Sequence, residues 1–213
     1  MKARRGLYGR ILLLSSAIAL YSCSAAIKTA QAPPSEKLPV PGAFRAKAII
    51  TAYNPDPVSA NAVIIAKRPG YIRIEVKGPF GQTAAIFISD NENIYAFSGS
   101  GAPILGITAQ EGRYPFTPSE VYAMLTGSSP TNTEQGFESK TSTDAGGRVT
   151  AYAKTFDGHR AFSAEFADYR EVSGTEMPFS IKIIIGGQNY SIKYTSIEVD
   201  PELPEGAFEL PSR

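Results

Sequence analysis

The sequence predicts a mainly β protein: a curled antiparallel sheet, or incomplete barrel, of about ten strands with a short helix covering one opening. Three observations predict it. From Phe44 onward apolar and polar residues alternate over short runs, as in "YIRIEVK" (71–77), where Ile72, Ile74 and Val76 alternate with Arg73, Glu75 and Lys77; this is the pattern of a half-buried strand. Turn pairs separate the runs: Gly146-Gly147, Asp157-Gly158 and Gly186-Gly187 suit tight hairpins that need positive φ. A single segment, "YPFTPSEVYAMLTGSSP" (114–130), changes to helical period.

The elements follow in order. "FRAKAIITAY" (44–53) puts Phe44, Ala46, Ala48 and Ile50 on one face, and "NAVIIAK" (61–67), "YIRIEVK", "TAAIFIS" (83–89) and "IYAFS" (94–98) continue the strand series. In the helical segment Thr117 is placed to cap, Pro118 fits the first helical position, and Glu120 completes a capping box. Val121, Met124 and Leu125 form an apolar stripe, and Gly127 is placed to end the helix. Strands resume with "GFESKT" (136–141), "RVTAYAKTF" (148–156), "RAFSAEFADY" (160–169), "PFSIKIII" (178–185) and "NYSIKYTSIEV" (189–199).

The N-terminus addresses location. Lys2, Arg4, Arg5 and Arg10 precede the apolar run "ILLLSSAIAL", which is too short for an ordinary membrane span. This marks residues 1–22 as a signal peptide. Cys23 is the only cysteine, so it has no internal disulfide partner. Leu20 to Cys23 resembles the bacterial lipobox, which implies a diacylglycerol on the Cys23 sulfur and an acylated amine. Two or more acyl chains anchor a protein stably. Residues 23–42 are proline-rich, with Pro33, Pro34, Pro39 and Pro41, and are read as a tether; 43–213 form the barrel domain. Where enteric signals use Asp after the cysteine for inner-membrane retention, Ser24 permits outer-membrane sorting. Loss of residues 1–22 turns the formal charge of +1 into about −3, which is no surface for nucleic acid.

Catalytic chemistry is not expected. His159, the only histidine, follows a turn pair, and the carboxylate pairs Asp90/Glu92 and Glu202/Glu205 lie in turn-like stretches. With one histidine and one lipidated cysteine there is no metal or haem constellation, and no cofactor is expected. "GSGAPILG" (99–106) lacks the Lys-Ser/Thr ending of a phosphate loop and reads as a plain loop.

"VKGPFGQT" (76–83) is the anomaly. Gly78, Pro79 and Gly81 make a turn, yet Phe80 puts a large apolar ring on it. Either the ring folds back onto its own sheet or it is offered to something outside, such as a bilayer interface.

The order of lipobox, tether, "RIEVKGPFGQTAAIFISDNENIYAF", the short helix "FTPSEVYAMLTGSSP" and long strands resembles the LolB/LolA-like family of outer-membrane lipoproteins over residues 44–211. The closing "PELPEGAFELP" is similar to the tail of lipoproteins with this fold. Met124 stands where LolB-like helices usually carry a tryptophan, and residues 31–42 are proline-rich where the family packs a helix. The resemblance implies a half-open antiparallel β-barrel of about 10–11 strands with a short helical lid. It implies a monomer that binds the acyl chains of lipoproteins or other lipids, served by a periplasmic LolA-like carrier, and a place in the cell envelope on the periplasmic side of the outer membrane. Gly78 to Gly81 then correspond to a membrane-insertion loop, with Phe80 where that hairpin exposes a leucine. The inward set Ile50, Ile74, Phe87, Met124, Leu125, Phe162, Phe166, Ile183, Ile192 and Tyr194 would line an apolar cavity. The same residues would equally form an ordinary filled core, leaving a structural or interaction lipoprotein that supports an envelope assembly.

Overall fold

Among the described residues, ten strands and one helix follow from this pattern. The computed structural model describes residues 39–53, 55–103, 116–131 and 135–210. The signal peptide, Cys23 and the tether up to residue 38 lie outside the described residues. The strands are β1 (Ala43–Tyr53), β2 (Pro57–Lys67), β3 (Tyr71–Lys77), β4 (Thr83–Asp90), β5 (Ile94–Ser98), β6 (Phe137–Thr143), β7 (Val149–Phe156), β8 (His159–Val172), β9 (Thr175–Ile185) and β10 (Gln188–Val199); helix α1 is Pro118–Thr126. They form one antiparallel sheet in the order β5-β4-β3-β2-β1-β10-β9-β8-β7-β6. Each half of the chain is a five-stranded meander, and β1 pairs with β10 to join the halves, from Phe44↔Val199 to Tyr53↔Asn189. Among the described residues the sheet ends at β5 and β6, which do not pair with each other, so it is an open curl and not a closed barrel.

Three hairpins use two-residue loops with both φ values positive: Asp157-Gly158 (48° and 73°), Ser173-Gly174 (50° and 78°) and Gly186-Gly187 (55° and 79°). That geometry matches the twist of the strands they join. The Ser173-Gly174 turn goes beyond the expected elements. It extends β8 to Val172 and starts β9 at Thr175, because Glu171↔Glu176 and Val172↔Thr175 pair through backbone without any apolar alternation. Likewise β2 starts at Pro57, four residues before the apolar run, by pairing with the end of β1.

Alternation of the turns defines two ends. The β1/β2, β3/β4, β7/β8 and β9/β10 turns lie at one, here the open end; the other four hairpin turns lie at the helix end. Helix α1 is fixed beneath the inner face at the helix end. Thr117 and Glu120 form the capping box, with Thr117 N donating to Glu120 Oε2 at 2.7 Å. Gly127 ends the helix at φ 66°, where a Cβ would collide with Tyr169 and Pro178. The expected stripe is only part of the buried surface: Glu120, Tyr122 and Ala123 are buried with Met124 and Leu125, because the sheet curls around the helix.

The helix is held largely by polar contacts. Tyr122 donates to Pro41 O (2.6 Å), Tyr194 to Leu125 O (3.0 Å), and Tyr169 to Gly127 O (3.3 Å) and Val149 O (2.6 Å). Burial pushes all three phenols above their ordinary range. At the other end of the helix, Lys154 on β7 meets Glu120 at 2.9 Å, and both side chains are 0% exposed. Tyr152 donates to the same carboxylate at 2.8 Å, and the Lys154 ammonium lies 4.7 Å from the centroid of the Phe137 ring. Apolar packing fills the remaining space: Phe44, Ile64, Ile72, Phe162, Phe166, Met177 and Ile181 are buried against Met124 and Leu125.

On the outer face the chain after β10 crosses back over the first meander. Ala43 N donates to Asp200 Oδ1 (2.8 Å), Arg45 to Glu202 O (3.1 Å), and Phe208 packs on Tyr71 with centroids 5.7 Å apart. The tail thereby covers sheet surface that alternation alone would leave to solvent.

Two stability outcomes follow. Lys154→Met leaves Glu120 buried without its cation and should cost about 3–5 kcal/mol in denaturant unfolding. Glu120→Gln/Lys154→Met keeps the capping box and should recover most of that loss. Gly127→Ala forces an L-residue into the left-handed region and should cost at least about 1–2 kcal/mol.

Candidate functional site

The inner face changes character along its length. At the helix end it is sealed; toward the open end it stays buried on β7 and β8, at Lys154 and Phe162, while on β1, β3 and β9 its apolar side chains are only half covered. On β1, Phe44, Ala46 and Ala48 are buried while Ile50 and Ala52 are half-buried. On β3, Ile72 is buried and Ile74 and Val76 are half-buried. Along β9, Ile181 is buried and Ile183 and Ile185 are half-buried; on β10, Tyr194 and Ile192 are buried and Tyr190 is half-buried. The register places these positions side by side, as in Ile50↔Ile192, Ile64↔Ile74, Ile74↔Phe87 and Ala164↔Ile183. The half-covered part is a band of aliphatic and aromatic surface between α1 and the rim of the open end.

Of the residues expected to line a cavity, Met124, Leu125, Phe162, Phe166, Ile192 and Tyr194 are buried in the core around α1. Ile50, Ile74 and Ile183 are half-buried and packed against that core, and Phe87 is half-buried beside Ile74. The ten residues thus share one face and divide into a filled part and a half-covered part.

The "VKGPFGQT" hairpin sits at the open end. Gly78 N donates to Gln82 O (2.7 Å), Gly81 N to Gly78 O (3.0 Å), and Phe80 N to the Gln82 side chain (3.1 Å). Gly81 takes φ 81°. This compact turn leaves Phe80 94% exposed, the most exposed large apolar side chain among the described residues. The ring does not fold back onto its sheet. It has company: Val58 (68%), Tyr53 and Phe156 are also exposed, and all belong to turns or strand ends of the open end. The turns and strand ends of this one end thus carry four exposed apolar side chains, from β1 to β7.

Sequence reasoning missed two features. Glu120 was legible as a capping residue but not as the partner of Lys154; the available signal was that Lys154 shares the inward register of Tyr152. The second feature is a depression of about 530 Å3 on the outer face over β7–β10. Its floor holds small residues (Ala151, Ala153, Ser163, Ser180, Ser191) and its walls carry Arg160, Lys182, Lys193, Glu165 and Tyr53. These residues come from five strands, and only the register brings them together. His159 is exposed at the β7/β8 turn, opposite Phe156. Among the described residues no group of His, Cys, Asp and Glu could hold a metal ion.

The architecture is that of the LolA-like fold. The chain superimposes on a LolA superfamily protein from Nitrosomonas europaea with a TM-score of 0.53 at 11% identity, over 82% of this chain and 93% of that one. A DUF1329 family protein from Desulfovibrio piger matches with a TM-score of 0.53 at 9% identity, over 79% and 90% of the two chains. A protein assigned as an outer membrane lipoprotein-sorting protein domain from Vibrio parahaemolyticus matches with a TM-score of 0.50 at 9% identity, over 79% and 89%. No protein-family model matches the chain, and no curated protein matches it in sequence. At these identities the likeness defines the fold.

Since Phe80 touches so little of its own domain, Phe80→Glu should leave unfolding free energy within about 0.5 kcal/mol of the parent. A cooperative melt shifted far downward would show instead that the ring is part of the core.

Proposed function

We propose that this protein is a lipid-anchored lipoprotein of a bacterial envelope that binds acyl chains on the half-covered inner face, between α1 and the open end. The observation that carries the reading is the apolar band itself. Acyl chains need apolar area and few directional groups, and the band on β1, β3 and β9 offers aliphatic and aromatic surface, with the buried Glu120–Lys154 pair to its β7 side. The LolA-like fold supports it, as does the name of one structural neighbour, which refers to lipoprotein sorting.

In this proposal Cys23 carries the diacylglycerol and the protein acts at the outer membrane, facing the periplasm, as a LolB-type acceptor of lipoproteins from a soluble LolA-like carrier. The anchor and the band are compatible in reach. The domain begins at the helix end, and the chain from Cys23 to Pro39 extends to at most about 55 Å. The 11 residues of β1 span only about 37 Å. The open end and its Phe80 turn therefore have enough tether to face the bilayer that holds the lipid. Phe80, flanked by Gly78, Pro79 and Gly81, is the membrane-insertion residue, and Phe80→Glu would impair delivery of bound lipoprotein while sparing the fold.

A second reading is favoured by the tight filling around α1. Six members of the inward set, Met124, Leu125, Phe162, Phe166, Ile192 and Tyr194, are buried in the core that includes the helix. The chain would then be a scaffold lipoprotein that has kept the fold and holds a protein partner.

The two readings part in one measurement. The mature chain with Cys23→Ala should bind a fluorescent fatty acid or an acylated peptide with one-to-one stoichiometry. Ile74→Glu and Ile183→Glu should each weaken binding about ten- to hundredfold, the equivalent of about 1.5–3 kcal/mol of apolar burial. Absence of saturable binding over a wide concentration range sinks the acyl-chain reading and leaves the scaffold, to be pursued by crosslinking.

A further inference from the structure

We propose that the depression over β7–β10 is a site for the phosphate headgroup of an anionic phospholipid, in the same bilayer that the open-end rim faces. The inference rests on the membrane attachment proposed above and adds to it a second, electrostatic contact on the opposite face from the acyl-chain band.

Charge comes first. The walls carry three cations, Arg160, Lys182 and Lys193, against one acid, Glu165. Glu165 and Lys182 are cross-strand partners, but no ion pair forms between them. Arg160 and Lys193 likewise enter no ion pair with the described residues. Elsewhere on the sheet Arg45, Arg73, Lys77, Arg148, Lys154 and Arg170 have a carboxylate within 4.0 Å, while Lys47, Lys67 and Lys140 have none and lie on three different strands, β1, β2 and β6, outside the depression. A cluster of cations left without internal partners suits an external anion, and each Lys or Arg near an anionic bilayer favours attachment about fivefold.

Shape and position select a lipid. At about 530 Å3 the depression is the size of a small-molecule site. Alanine and serine on its floor let a chain approach the sheet closely, while the lysine stems supply apolar walls below their charged heads. It starts beside Tyr53 and Asn189, at the open end, and runs inward to Lys193. Tyr53 therefore belongs both to the apolar rim and to the mouth of the depression. A tyrosine with its ring half exposed and its hydroxyl 3.5 Å from Ser191 Oγ is suited to the boundary between acyl chains and headgroups. With Phe80, Val58 and Phe156 in the apolar zone, the cations of the depression stand behind them, where headgroup phosphates lie.

The absence of tryptophan from the chain supplies a clean probe. Tyr53→Trp in the full-length lipidated chain, reconstituted in phosphatidylcholine vesicles, gives one fluorophore at the mouth of the depression. Brominated phosphatidylglycerol should quench it several-fold more than brominated phosphatidylcholine at equal mole fraction. The preference should shrink in 0.5 M salt, about the ionic strength at which such contacts are screened. It should vanish in Arg160→Gln/Lys182→Gln/Lys193→Gln and grow in Glu165→Gln, a variant that tests the charge balance even if the triple replacement fails to fold. Glu171→Trp, at the helix end, should be quenched by neither lipid. Equal quenching by the two lipids, a preference untouched by the replacements, or strong quenching at Glu171→Trp each overturns the site. Vesicle flotation separates the two proposals: a chain that floats without lipid preference loses only this site, whereas a chain that does not float loses the anchor and the site together.

Discussion

Pairing of β1 with β10 governs the molecule. Each half of the chain makes its own meander by local hairpins, which is cheap in loop entropy because each loop is short. Joining the first strand to the last, across more than a hundred residues, is what turns two five-stranded ribbons into one ten-stranded sheet. A continuous sheet of that width twists and curls. The curl creates an inner face, and the inner face gives helix α1 somewhere to be buried. The bulge between Lys47 and Ala48 sits in this ladder and keeps Ala48, Ile50 and Ala52 on the inner side in step with Tyr194, Ile192 and Tyr190.

The helix illustrates how polar contacts decide placement where apolar contacts cannot. Leucine and methionine are indifferent to which aliphatic neighbours they meet. The Glu120–Lys154 pair is not, because a buried carboxylate has only one arrangement in which its charge and both oxygens are satisfied. Tyrosine hydroxyls directed at Pro41, Leu125 and Gly127 carbonyls fix the rest. The result is a helix that leaves the inner side chains of β1, β3 and β9 half covered toward the other end. The inner face thus divides into side chains sealed around α1, including Lys154 and Phe162 on β7 and β8, and half-covered ones on β1, β3 and β9, which the proposal gives to a ligand.

The same asymmetry organises the outside. Antiparallel order sends alternate turns to the same end, so Tyr53, Val58, Phe80 and Phe156, distant in sequence, line one rim. Outward positions on β7 to β10 collect the cations, while the outer surface of the first meander is covered by the tail that runs from Asp200 past Phe208.

Alternation, turn pairs and the capping box made nearly every element legible in the sequence, since these are properties of neighbouring residues: the period of two in "YIRIEVK", the positive-φ pairs Asp157-Gly158 and Gly186-Gly187, and Thr117 with Glu120. The Ser173-Gly174 turn escaped because the strands beside it pair by backbone hydrogen bonds that leave no apolar trace. The inward face of the candidate site was legible for the same reason as the strands, so Ile50, Ile74, Phe87 and Ile183 could be named in advance. Which of the inward residues are sealed and which half covered was not, because that depends on where α1 lies, and α1 is placed by Lys154, 34 residues away in sequence. Phe80 posed its question in sequence, and the tertiary structure answered it: exposure is a property of everything that could have covered the ring. The sequence by itself determined the strands, the helix and the inward set, which are local in origin. Only the tertiary structure decided the open end, the exposed rim and the basic depression, because each is made of residues that the β1–β10 register brings together from opposite ends of the chain.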